Sequence, residues 1–159
     1  MEFKGKNENS SIPATLYKKL SELFPPEKLA TIFDSDTCLY GEGCGRGIQK
    51  GGELYVAEGV DFVLFDVRIG EFWLERNNLE DVSTKLNIKI VPIVYFGDNP
   101  YMTLDRCIHR VRDGFKSHWG DFKAEGLVMK PRIELFNRKG ERIITKLKVK
   151  DFERLKSIK

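Results

Sequence analysis

The sequence predicts an α+β fold, mostly antiparallel sheets with flanking helices, and three observations carry that prediction. Short β-branched and aromatic runs recur at 61–67, 88–96, 133–136 and 143–147, the composition of strands. Some are joined by turns too short for a helical crossover, which makes them antiparallel neighbours. Between other runs, apolar residues recur at helical rather than strand spacing. At 159 residues the chain is one domain's worth, and 1–159 is read as a single domain.

Each element has its own warrant. Residues 1–12 are polar and irregular. Pro13 suits the first turn of a helix whose apolar face is Leu16, Leu20, Leu23 and Phe24, and Pro25-Pro26 stops it. A short helix over Glu27–Phe33 follows, then a strand from Thr37 through Glu42. A glycine-dense loop is expected over 41–52, leaving Cys44 exposed. Asp61–Val67 is a strand, apolar in the middle and acidic at the ends, and Glu71–Leu74 pairs with it as a hairpin. Asn77 or Asn78 caps a helix to Leu86 that turns Leu79, Val82 and Leu86 inward. Ile88–Phe96 is a strand; Thr103–Val111 is a helix with Leu104, Ile108 and Val111 on its inner side. Leu127–Met129 reads as a buried strand. Ile133–Phe136 and Ile143–Leu147 form a hairpin about Asn137-Arg138-Lys139-Gly140, and a last helix starts at Asp151.

Composition narrows the function. Hydrophobic residues are 41%, charged residues 32% and net charge +3, so a nucleic-acid partner would need a local basic patch. Cys38, Cys44 and Cys107 form no C-x-x-C pair, which argues against zinc and a disulfide framework and for a reducing, cytoplasmic location. No apolar run approaches the ~20 residues of a membrane span. His109 and His118 have no ligand-spaced partner or neighbouring nucleophile and read as surface residues.

The chemistry concentrates in two places. Glu125-Gly126-Leu127-Val128-Met129-Lys130-Pro131 is a strand with charged ends, and Lys146 and Lys148 project from one face of a later strand, with Lys150 continuing the alternation. An acid together with amines suits a nucleoside triphosphate, the amines for phosphates and the acid for a metal ion or sugar hydroxyl. The bland alternative for the lysines is a solvated face. Gly41-Glu42-Gly43 sets a carboxylate between glycines, where a ligand can approach closely; alone it reads equally as a tight surface loop. Phe65 is either core packing or a stacking platform for a purine.

These segments, in order, resemble the ATP-dependent RNA ligase family within the covalent nucleotidyltransferases. Leu39–Gly43 with Ile48–Gly51 looks like motif III, Phe62–Val67 like motif IIIa, Glu125–Pro131 like motif IV, and Lys146-Leu147-Lys148 like motif V. Phe3–Lys6 through Ile12-Pro13 looks like the segment after motif Ia, with Lys6 where relatives often carry arginine. The resemblance implies an incomplete nucleotidyltransferase (ATP-grasp-like) ligase domain, with ATP/AMP and RNA as partners, Mg2+ or Mn2+ as cofactor, and no membrane. It implies that Glu42 holds the ribose, Phe65 stacks on adenine, Lys146 and Lys148 hold phosphates, and Glu125 supports the metal.

The family's chemistry begins at a lysine in a K-x-D-G motif, which carries AMP before the RNA end does. No K-x-D-G occurs here; the one Asp-Gly pair, Asp113-Gly114, has Val111 where the lysine would stand. The expectation is an N-terminally truncated adenylylation domain, inactive alone and completed by a separate segment that bears the motif. The alternative is a non-catalytic nucleotide- or RNA-binding remnant of a ligase.

Overall fold

The computed structural model describes residues 1–7, 9–93 and 103–156. The chain divides into two compact units, Met1–Val91 and Pro92–Lys159.

In the first unit, helix α1 (Ala14–Leu23) buries Leu16 and Leu20 and is followed by the buried Phe24. Pro13 stands just before the helix, as its N-cap. The N-terminal segment packs on α1, with Phe3 edge-on to Tyr17 at 5.4 Å between ring centroids. Helix α2 (Pro26–Ala30) is a single turn and a half. Lys28 Nζ donates to the Leu86 carbonyl at 2.7 Å, tying α2 to the C-terminus of α3 (Arg76–Leu86). That ammonium meets the negative end of the helix dipole. The N-cap of α3 is Glu75, without a side-chain cap bond, rather than Asn77 or Asn78. The inward stripe Leu79, Val82 and Leu86 stands as the spacing predicts.

The sheet is built on β2 (Val60–Ile69). Along one edge it pairs antiparallel with β1 (Thr37–Gly45). Along the other it pairs antiparallel with β3 (Phe72–Trp73) and parallel with β4 (Lys89–Ile90). Strand β1 runs through Gly41, Gly43 and Gly45, so the first half of the expected glycine loop is strand. A turn and a 3-10 segment, Gly52–Leu54, make up the rest. Cys44 is consequently buried, at 3% exposure, opposite Asp61 on β2. Among the described residues of the expected 88–96 strand, Lys89–Ile90 pair with β2 and the Val91 amide donates to the Leu64 carbonyl at 2.9 Å; residues 94–96 lie outside the described residues. The core joins α1, β2 and α3 through Leu16, Leu20, Phe24, Phe62, Leu64, Val67, Leu79, Val82 and Leu86.

The second unit sets α4 (Leu104–Asp113) and α5 (Val149–Lys156) against a two-stranded ribbon, β5 (Gly126–Met129) with β6 (Thr145–Lys148). Thr103 caps α4, its hydroxyl accepting from the Arg106 amide at 3.3 Å. The buried stripe of α4 is Cys107 and Val111, one turn apart; Leu104 is 62% exposed, because contact with this small core begins one turn in. The expected hairpin forms near its tip only. Asn137 Oδ1 accepts from the amides of Lys139 and Glu141 at 2.8 and 3.0 Å, an Asx-type turn. Ile143 N–H reaches the Leu135 carbonyl at 2.8 Å. Thr145–Lys148 then leaves the hairpin and pairs with β5, where Leu147 meets Leu127 beside the helices. The arms offer no comparable burial: Ile133, Leu135, Phe136, Ile143 and Ile144 all stay exposed. Strand β5 is not a buried strand either, since a two-stranded ribbon covers one face only, and Val128 on the other face is 63% exposed.

Candidate nucleotide site residues

Glu42 is aimed by its neighbours. A Cβ on Gly41 would lie 2.0 Å from Phe62 Cζ, and one on Gly43 would lie 2.2 Å from Leu16 Cδ2. Both glycines therefore face the helices and the core. Successive residues of a strand point to opposite faces, so Glu42 faces away from the core, where it is exposed. Among the described residues Glu42 forms no ion pair, and its charge helps to hold the Cys44 thiol protonated. That thiol is pushed up chiefly by burial, then by Asp61 and Glu42, with Lys89 opposing.

Phe65 reaches the same side through a β-bulge. Tyr40 pairs with Asp66 and Gly41 with Leu64, so Phe65 has no partner on β1. The parity of β2 flips across it: Val60, Phe62 and Leu64 face the core before the bulge, Val67 and Ile69 after it. A bulge inserts one residue, bends the strand and re-aims a side chain. The outcome is an aromatic 38% exposed between Leu64 at 0% and Asp66 at 7%. Phe65 is not among the residues of the core cluster or those packed against it. Asp66, a buried carboxylate beside it, was not singled out from the sequence; its signal was the apolar parity of 60–69, which breaks at that residue.

In the second unit, Lys146 lies across from Val128 and Lys148 across from Gly126, so both lysines stand on one face of the ribbon. They are ~7 Å apart along the strand. Among the described residues neither is held in an ion pair. Glu125 enters beside them: the Val149 amide donates to its carbonyl at 2.9 Å, fixing its backbone at the β6–α5 junction. Glu125 and Lys148 line a hollow of about 280 Å3 together with Lys123, Lys150 and Glu153. Lys150 is there from the first turn of α5 rather than as a third lysine of the strand, because β6 ends at Lys148. Lys123, the other amine at this hollow, was missed by the sequence reading; its position two residues before Glu125 is the only signal of it.

Two of the basic residues in the last third are engaged elsewhere. Arg142 meets Glu134 in a fork of two bonds at 2.6 and 2.7 Å, and Lys130 Nζ is 3.7 Å from the same carboxylate. His109 and His118 are exposed, and His109 Nδ1 meets Arg112 at 2.6 Å.

The donor set limits what metal could be held. Among the described residues no group of three His, Cys, Asp or Glu side chains is placed to cage an ion. An exposed Glu125 beside lysines, with Glu153 at the same hollow, fits a divalent ion that arrives on a nucleotide. Magnesium binds through one or two carboxylates plus substrate phosphates and keeps several waters. Among the described residues no helix is long and apolar enough to cross a membrane.

Three solved forms of the Naegleria gruberi RNA ligase share this fold. An apo point mutant aligns with TM-score 0.64 and 23% identity over 93% of this chain and 42% of that one. A second mutant, with ATP and Mn, aligns with TM-score 0.65 and 21% identity over 94% of this chain. A third, also with ATP and Mn, aligns with TM-score 0.64 and 22% identity over 92%. The chain thus spans 42% of the length of each of these structures. No curated protein sequence matches it. The RNA ligase family model matches residues 3–148, nearly the whole chain, and the protein belongs to the RNA ligase family.

Proposed function

We propose that this chain is the nucleotide-handling part of an ATP-dependent RNA ligase adenylylation domain. Glu42 holds the ribose and Phe65 stacks on the adenine. Lys146 and Lys148 neutralise phosphates, and Glu125 supports the Mg2+ or Mn2+ that comes with the nucleotide. Electrostatic stabilisation of charge as pyrophosphate leaves is the service the two lysines give. The observation that carries this reading is the bulge at Phe65, which exposes an aromatic ring on the side of the sheet to which Glu42 also points. The solved relatives carrying ATP and Mn support the choice of nucleotide and metal.

The 159 residues hold no K-x-D-G lysine. We propose that the nucleophile which carries AMP comes from outside them, on a separate segment, and that the isolated chain binds ATP without forming the lysyl-AMP or RNA-adenylate intermediates. The proximity and orientation that a positioned lysine provides are worth ~7–11 kcal/mol, and no surface lysine replaces that. The test has two arms. A fluorescent ATP analogue with Mg2+ should bind the chain, and Phe65→Ala or Glu42→Ala should weaken it about tenfold, as loss of a stacked base or a charged hydrogen bond does. Incubation with radiolabelled ATP should leave the chain unlabelled until a segment bearing K-x-D-G is added. Equal binding by wild type and both variants would defeat the nucleotide assignment. Labelling of the chain alone at one lysine would defeat the external nucleophile. Nucleotide binding with no labelling, even with the added segment, would favour the second reading, a non-catalytic binding remnant, which the missing K-x-D-G motivates.

A further inference from the structure

The side of the sheet that carries Glu42 continues past it. On β1, Leu39 packs against the core, so Tyr40 and Cys38 face the other way with Glu42. On β2, Val67 and Ile69 turn to the core and Arg68 faces away from it. Trp73 pairs with Arg68 across the β2–β3 hairpin. The rings of Tyr40 and Trp73 lie 5.0 Å apart, tilted by 40°, and the Arg68 guanidinium carbon is 5.9 Å from the Trp73 ring. None of the three belongs to the core cluster, and all are half-buried.

We propose that Tyr40, Arg68 and Trp73 form a stacking platform for a nucleobase of the RNA strand being joined, with Arg68 taking the phosphate beside that base. The identity of the strand rests on the ligase reading above; the platform itself rests on its own geometry. Two aromatic rings and a guanidinium on the open face of a sheet are the equipment with which proteins bind single-stranded RNA, the rings taking bases and the arginine both stacking and pairing with phosphate. Arg68 has the capacity to do so. Its outer nitrogen meets Glu71 Oε2 at 2.6 Å, a carboxylate whose side chain is 87% exposed. A surface pair of that kind is weakly held, so Glu71 occupies a place that an RNA phosphate can take. The position is also right for the chemistry. An RNA end must bring its terminal phosphate to the bound nucleotide, so its adjoining bases lie within a nucleotide or two of that site. Tyr40 is ~7 Å from Glu42 along the same strand.

The chain has two tryptophans, Trp73 and Trp119, so Trp119→Phe leaves Trp73 as the only reporter. A 5′-phosphorylated single-stranded oligoribonucleotide of mixed sequence, titrated at low salt, should quench Trp73 emission. Affinity measured by anisotropy of labelled RNA should fall about tenfold in Trp73→Ala and in Arg68→Ala. Trp73→Phe, which keeps a stacking ring, should retain most of it and guards against a mere folding defect. Binding of the fluorescent ATP analogue should be unchanged in all three. RNA binding without quenching, together with full affinity in Trp73→Ala, overturns the platform, as does an absence of RNA binding. If Glu42→Ala and Phe65→Ala leave nucleotide binding intact while RNA still quenches Trp73, the nucleotide assignment falls and the platform stands.

Discussion

Replacing Gly41 by alanine tests how the fold aims Glu42. Glycine inside a strand is ordinarily a weakness, costing ~0.5–1 kcal/mol relative to alanine, so propensity alone expects the change to stabilise. The packing says the opposite. The new Cβ would stand 2.0 Å from Phe62 Cζ and 2.5 and 2.6 Å from the two Cε atoms. Non-bonded carbons rest ~3.5–4.0 Å apart, so the ring must retreat by ~1.5 Å or more. It has nowhere to go: Phe62 is 8% exposed and meets Phe24 edge-on at 5.2 Å between centroids. Overpacking of this kind costs ~1–3 kcal/mol, and with a ring hemmed in we expect ~2–3 kcal/mol. With urea slopes of ~1–3 kcal/mol/M, the midpoint falls by roughly 0.7–3 M. Urea unfolding followed by far-UV circular dichroism measures it. Phe62→Leu should relieve the clash, so that the double variant is more stable than the sum of the two single losses predicts, by ~1 kcal/mol or more. A wild-type midpoint for Gly41→Ala, or strict additivity in the double variant, would refute the packing account and with it the reason Glu42 faces outward.

Other expectations follow from single contacts. Arg142→Met should cost ~1–2 kcal/mol, because it removes the two short bonds that Glu134 accepts from the guanidinium; amide exchange in the 135–143 hairpin should quicken, and unchanged exchange would show the fork to be idle. Thiol labelling of the native protein should modify Cys38 alone, with Cys44 and Cys107 reacting only on unfolding, since both are buried; mass spectrometry counts the adducts. The fold should lose stability at alkaline pH. Cys44 is raised above its ordinary 9.0, mainly by burial, and Tyr40 above 10.0, mainly by its hydrogen bond with Cys38. A group raised in the folded state contributes stability that is complete below its unfolded value and lost as pH climbs through the folded one. Cys44→Ala should therefore flatten the fall that begins near pH 9, and an unaltered profile would exclude that thiol as a source.

The local grammar of the chain was legible where one element decides for itself. Leu16 and Leu20 on α1, and Leu79, Val82 and Leu86 on α3, follow from helical spacing, because a helix needs only one face covered. The turn at Asn137 follows from a side chain bonding its own backbone. What failed depended on partners distant in sequence. Residues 41–45 look like a loop until β2 lies alongside them, and Thr145–Lys148 looks like a hairpin arm until β5 offers Leu127. Strand choice is a competition between edges, and nothing within a single segment records who the competitors are.

The sequence by itself determined the α+β class and the family, because motif order and spacing are carried by the chain alone; the same motifs are the basis on which Glu42, Phe65, Glu125, Lys146 and Lys148 are proposed as site residues. Only the tertiary structure decided how they are presented. The bulge that exposes Phe65 exists because β1 and β2 pair one residue out of step after Tyr40. The glycines that turn Glu42 outward are required by Phe62 and Leu16. Register and close approach are properties of two segments in contact, and neither segment states them on its own.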